Sequence, residues 1–212
     1  MIFGNHDTKT DFGLTLTFQK IETPALKTYD VDLPAGDGKI DLSEFFGGVK
    51  LKNRKLEFEF THEGADSPTL IQTISNALHG LKLAITTDDD PDWYYIGRVS
   101  VSEGARISKT VGKILMTCDC DPYKYKLYPT IIPGTIGVTG TLTRQCPNSR
   151  KKVIPEITVS GAVYVTFGTG TYALVAGTHK ITNIVFAEGF NPLTVAGAEG
   201  VTVAVEYQEG AI

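Results

Sequence analysis

The sequence is poor in the residues that mark several protein classes. Among 212 residues there are three cysteines, one tryptophan and two methionines, and 20 lysines and arginines stand against 24 aspartates and glutamates. So few cysteines, in odd number, argue against a disulfide-stapled scaffold. Cys118 and Cys120 are two apart, which on a strand puts both thiols on one face about 7 Å apart, an awkward span for a relaxed disulfide. They read as small buried hydrophobes of a reducing compartment. "CDC" lacks the two-residue gap of a zinc knuckle, and Cys146 stands alone. Without a basic surplus no general affinity for nucleic-acid phosphates is expected. No apolar run approaches 18 residues, so no membrane insertion is expected. "MIFGNHDTKTDFG" has neither a basic start nor a long apolar segment, so no secretory leader is expected there.

Catalytic signatures are missing too. There is no G-x-S-x-G elbow, H-E-x-x-H pair or G-x-x-x-x-G-K-[ST] loop. His6, His62, His79 and His179 are scattered without metal-ligand spacing. "FGTGTY" has the look of a phosphate loop, but no helix follows to supply N–H groups, and a hairpin turn is the simpler reading. Asp88, Asp89, Asp90 and Asp92 carry oxygens suited to calcium or to glycoside hydrolysis. Lying between two strand patterns and broken by Pro91, they read as a solvated loop. The expectation is a protein that is not an enzyme, with no catalytic residue, cofactor or metal.

What the chain has instead is alternation. "LTLTFQK" places Leu14, Leu16 and Phe18 on one strand face; "KLEFEF" places Leu56, Phe58 and Phe60 together, opposite Lys55, Glu57 and Glu59. Between Val49/Leu51 and Leu56/Phe58 the apolar parity changes, which demands a turn or bulge near Asn53. Further strands read from "LKLAITT", "WYYIGRVSV", "ILMTCDC" and "YKYKLY". Trp93, Tyr94 and Tyr95, with Tyr123, Tyr125 and Tyr128, suit core and interface packing better than a sugar or base platform. One helix is expected over about 68–79, with Ser67 as its cap, Pro68 in its first turn, the stripe Leu70, Ile71, Ile74 and Leu78, and Gly80 as its stop. His79 would meet its negative end.

Texture changes near residues 130–135. All of the net charge of −4 lies before Pro133, with 15 basic and 19 acidic residues there against five of each afterwards. Short β-rich runs with glycine turns follow, including Val201, Val203, Val205 and Tyr207 in strict alternation, and indicate a sandwich. The expected units are residues 1–132 and 133–212.

In order and spacing, "DGKIDLSEFFGGVKLKNRKLEFEF", "TLIQTISNALHG", "WYYIGRVSV", "ILMTCDCDPYKY" and "GTHKITNIVFAEGFNPLTVAGAEGVTVAVEYQEG" resemble the distal tail protein family of long-tailed phages and prophages. The resemblance covers nearly the whole chain. It implies a mainly β fold: an N-terminal tail-tube-like β-sandwich or split barrel with one helix, plus a C-terminal galectin-like β-sandwich. It implies a homohexameric ring at the virion tail tip, assembled in the bacterial host cytoplasm. Its partners would be the tail tube protein, the tail-tip protein and receptor-binding modules, with DNA only passing through. The second part has no large insertion, whereas intrinsic sugar binding is implied mainly for longer members. A carbohydrate-binding module for cell-wall attachment and a cell-wall hydrolase are the rival readings. On the ring reading, Lys50, Lys52, Arg54, Lys55, Glu57 and Glu59, with Asp37 and Asp41, are expected to pair subunit to subunit, Arg54 foremost because it can hold a carboxylate by two hydrogen bonds.

Overall fold

The computed structural model describes residues 1–212 apart from positions 35, 46 and 65; position 46 lies within the stretch 37–60 quoted above. The chain forms two compact units, residues 1–124 with Ile212, and residues 125–211.

In the first unit the strands are β1 (Ile2–Phe3), β2 (His6–Asp7), β3 (Thr15–Ile21), β4 (Leu26–Lys27), β5 (Asp30–Asp32), β6 (Lys39–Asp41), β7 (Lys50–Leu51) and β8 (Arg54–Glu63). Helix α1 (Ser67–Leu78) follows, then β9 (Lys82–Thr86), β10 (Trp93–Arg106) and β11 (Val111–Lys126). Seven of them line up as β2-β1-β9-β10-β11-β8-β3. The two patterns "ILMTCDC" and "YKYK" are one strand, β11. Its even-numbered residues Ile114, Met116, Cys118 and Cys120 are buried, as are Leu56, Phe58 and Phe60 on β8. All three thiols are free and buried. Helix α1 sets Ile74 and Leu78 into this core, with Leu70 and Ile71 at its edge, and packs on β10. Each such side chain, on leaving water, contributes about 1.5–3 kcal/mol.

Two local expectations are corrected. Ser67 does not cap α1: it is the first helical residue, and the cap position belongs to Asp66. The Ser67 hydroxyl is buried between His62 Nε2 (3.1 Å) and the Lys109 carbonyl (3.0 Å), tying the helix start to the sheet. Asp66 accepts from the Thr69 hydroxyl at 2.9 Å. Secondly, Phe18 does not share a face with Leu14 and Leu16. A bulge between Leu16 and Phe18 lets two residues oppose one, reversing the alternation and leaving Phe18 exposed while Leu14 is buried. Thr17, the extra residue, donates its hydroxyl to the Glu59 carbonyl at 3.0 Å.

The parity change near Asn53 is a change of sheet. β7 pairs with β4, and after Lys52 and Asn53 the chain enters β8, which pairs with β3 and β11. The short strands between β3 and β8 therefore form an arm of two ladders, β4 with β7 and β5 with β6, neither joined to the main sheet among the described residues. Downstream, Gly80 ends the helix with φ +80°, a conformation in which any side chain is strained.

The second unit is a sandwich of two four-stranded sheets. β12 (Thr130–Thr135), β14 (Glu156–Val159), β17 (Gly177–Lys180) and β19 (Thr202–Tyr207) run in the order β12-β19-β14-β17. β13 (Thr141–Asn148), β15 (Val163–Phe167), β16 (Gly170–Leu174) and β18 (Gly189–Gly197) run as β13-β18-β15-β16. "FGTGTY" is the β15–β16 hairpin, with Phe167 opposite Gly170 and Gly168 at φ +57°. Val203, Val205 and Tyr207 on β19 point into a core with Phe186, whose ring meets Tyr207 edge-on at 5.1 Å. On the outward faces, threonines pair across strands: Thr143 with Thr194, Thr158 with Thr178 and Thr166 with Thr171, at 2.8–3.1 Å. Beyond β19, the buried Glu209 accepts from Lys126 (3.0 Å), Ser149 (2.8 Å) and Thr130.

Candidate functional site

The charged stretch around Asn53 divides into three environments. Lys50 and Lys52 are exposed at the foot of the arm, where the Lys52 N–H donates to the Ala25 carbonyl at 2.7 Å. Lys55, Glu57 and Glu59 alternate on the outward face of β8. There they pair within their own chain: Lys55 Nζ lies 2.9 Å from Glu57, and Lys113 Nζ 2.6 Å from Glu59. These contacts hold both carboxyls below the usual carboxylate range, the hydrogen bond from the lysine being the largest cause in each.

Arg54 differs from all of these. It opens β8 on the inward side and is only 4% exposed. Its guanidinium lies over the Tyr95 ring at 5.4 Å, a cation–π contact. Burial pulls its pKa down, and Tyr95 works in the opposite direction. No described carboxylate forms an ion pair with it, and its Nε has no hydrogen-bond partner. Sequence reasoning placed Arg54 among outward-facing charges; its even parity with Leu56, Phe58 and Phe60 was the sign that it faces inward.

Arg54 lines a cavity of about 500 Å³ with Asn53, His79, Arg98 and Asp119. Arg98 stands on β10 beside it, exposed, and donates to the Gly80 carbonyl at the end of α1. His79 is the C-cap of α1, its N–H donating to the Ser75 carbonyl at 3.0 Å. Its ring turns to β10, where Nδ1 accepts from the Val101 N–H at 3.0 Å. Of the other charged lining residues, Lys55 is taken by Glu57 and Glu22 by Lys20 at 2.9 Å. Both arginines contribute to the lining, Arg54 from the inward side of β8 against Tyr95 and Arg98 from the exposed side of β10, and neither has a described carboxylate in an ion pair. Arg98 was not singled out as a site residue from sequence; only its place in "WYYIGRVSV" drew notice.

The acidic loop Asp88–Asp92 joins β9 to β10. Asp89 accepts from Gln19 at 3.1 Å and Asp90 from Lys124 at 2.6 Å, with Lys124 also over the Trp93 ring. Among the described residues no cluster of three or more acidic, histidine or cysteine side chains is placed to hold a metal ion. No described helix is long and apolar enough to cross a membrane.

A curled antiparallel sheet carrying one helix and an arm, followed by a two-sheet sandwich, defines a mainly β protein. No protein-family model matches the chain, and no curated protein matches it in sequence. Among solved structures it is similar to the SPP1 Dit (gp 19.1) protein, described as a paradigm of the hub adsorption apparatus in phages infecting Gram-positive bacteria. The match has a TM-score of 0.67 at 16% identity, and covers 98% of this chain and 97% of that one. The likeness to distal tail proteins read from the sequence is found again in the fold.

Proposed function

We propose that this chain is a structural hub protein of a phage or prophage tail tip. In this reading six copies form a ring joining the tail tube to the tail-tip and receptor-binding proteins. Residues 1–132 would build the ring and the sandwich after it would offer a docking surface. The observation that carries the reading is a fold shared end to end with a phage adsorption-hub protein. The site fits a geometric rather than a catalytic role. Lys55, Glu57 and Glu59 are ion-paired within the chain, and Arg54 is buried against Tyr95. Lys50 and Lys52, exposed beside them, would add charge complementarity, which sets register and orientation at such contacts.

Native mass measurement over a concentration series, with negative-stain imaging of the largest species, tests this. The expected product is a closed ring of six 22.9 kDa chains. A chain that stays monomeric alone and also fails to bind purified phage tail tubes defeats the reading.

A further inference from the structure

We propose that the outward face of the sheet β13-β18-β15-β16 is a binding face for a neutral glycan chain, laid across the strands along a row of threonines beside Tyr164. The inference concerns the second unit alone and stands whether or not copies of the chain form a ring.

The face is marked first by what its strands lack. In β13, β18, β15 and β16 the only charged residue is Arg144. Alternation places Arg144 on the same side as Leu142 and the buried Cys146, and its Nε donates to the Pro133 carbonyl at 3.3 Å. The outward side therefore carries no charge. The other sheet of the sandwich differs: Glu156, Lys180 and Glu206 are exposed on it, with Glu156 directly opposite both of the others. Solvent-facing positions ordinarily carry much of a protein's charge, so its confinement to one sheet gives the two faces different ligands. An anionic polymer would find no cation on the charge-free face to hold it.

Register then sets out what the face holds. Thr143, Thr194, Thr166 and Thr171 fall in one row across the four strands. Thr141, Ala196, Tyr164 and Ala173 form the next row, about 7 Å further along. Neighbouring strands lie about 4.8 Å apart, a step comparable to one sugar ring of an extended chain. Thr143 pairs with Thr194 at 3.0 Å and Thr166 with Thr171 at 3.1 Å. Within each pair one hydroxyl donates to the other, which keeps its own proton to give, and both oxygens keep lone pairs to accept. A polyol, which donates and accepts at every hydroxyl, matches such a row. Tyr164 is 61% exposed between two alanines, so its ring is open to an apolar C–H surface such as one side of a pyranose.

A protein partner fits this face poorly. Protein interfaces set apolar and aromatic anchors at the centre and polar groups at the rim. Here the hydroxyl row lies in the middle, with Tyr164 on one side of it and Pro192 and the exposed Phe190 on the other. The charges that fix register between proteins are missing as well.

The test uses the full chain, its Tyr164→Ala and Thr166→Val/Thr194→Val variants, and Lys180→Ala from the other sheet. Maltohexaose, cellohexaose and chitohexaose are the neutral probes, and a glycerol phosphate polymer is the anionic one. Calorimetry reads binding, and amide shifts in NMR spectra read its place. At least one neutral probe is expected to bind at millimolar concentration and to shift amides of β13, β15, β16 and β18. Its affinity should fall about tenfold with Tyr164→Ala, fall also with the double valine variant, and stay unchanged with Lys180→Ala. Tyr164 is exposed, so its truncation keeps the test informative where the double variant fails to fold. Failure of all three neutral chains to bind overturns the proposal, as does binding of the anionic polymer alone or binding indifferent to Tyr164→Ala. A Tyr164-dependent dimer in native mass spectra, without glycan binding, overturns it too and gives the face to a second copy. Ring formation is read in the same spectra, so the hub reading and the glycan face stand or fall separately.

Discussion

Gly97 on β10 lies directly beneath the Cys120 thiol of β11: a β-carbon on Gly97 would fall 2.2 Å from Cys120 Sγ and 2.9 Å from the Asp119 carbonyl. Neither obstacle is the free end of a flexible side chain. Gly97→Ala is therefore expected to push the two strands apart and to cost about 1–3 kcal/mol, as overpacked cores do, read as a lowered midpoint in urea unfolding. Gly168→Ala makes a useful contrast. It meets no neighbour within 4 Å, but its φ of +57° strains the alanine, so its cost comes from the backbone alone.

The thiols should be silent in the native protein. Burial raises the Cys118 pKa above the ordinary thiol range, and burial with the nearby Asp119 and Asp121 pushes Cys120 up to about 12. Cys146 is pushed up to about 11 by burial. Only the thiolate reacts. A maleimide at pH 8 should leave all three unmodified by mass spectrometry, and modify all three in denaturant; rapid native labelling would contradict their burial.

Acid should weaken the second unit through Glu209. Burial alone would raise its pKa, but hydrogen bonds from Thr130, Ser149 and Lys126 outweigh it and hold the carboxyl below its ordinary value. A group with a depressed folded pKa contributes stability above its unfolded pKa and loses it as pH falls through the folded value. Thermal unfolding followed from pH 7 down to pH 3 should thus lose Tm below about pH 4.3, and Glu209→Gln should flatten that acid limb while lowering Tm at pH 7.

Phe18 and Phe58 separate two kinds of aromatic position. Phe58 is fully enclosed, with Phe3 edge-on at 5.8 Å, so Phe58→Ala should cost about 3–5 kcal/mol. Phe18 is half exposed beyond the β3 bulge, and Phe18→Gln should change stability by less than about 0.5 kcal/mol. Equal losses in chemical denaturation would mean that the bulge is absent in solution.

Removing the Ser67 hydroxyl should loosen the junction of α1 and the sheet. Ser67→Ala leaves His62 Nε2 and the Lys109 carbonyl without that partner in a buried setting, at about 1–3 kcal/mol. Hydrogen exchange in the first turn of α1 should accelerate more than in β10.

Period-two alternation and helix-breaking residues were enough to read the β character, the single helix with its Leu70–Leu78 stripe and Gly80 stop, the hairpin at Gly168 and the break near Asn53, because these signals are local. Phe18 was misread because a bulge changes parity without any composition mark, and Ser67 because the choice of cap depends on what the neighbouring Asp66 and the sheet at His62 do. The inward turn of Arg54 followed the parity of β8, yet its meaning required β10: Tyr95 beneath it comes from more than 40 residues away in the chain. Likewise only the ladder register set Asp30 against Asp41. Sequence determines which faces are apolar and where the chain turns; which charges meet, and which are left without a partner, is decided by contacts between strands far apart in the chain.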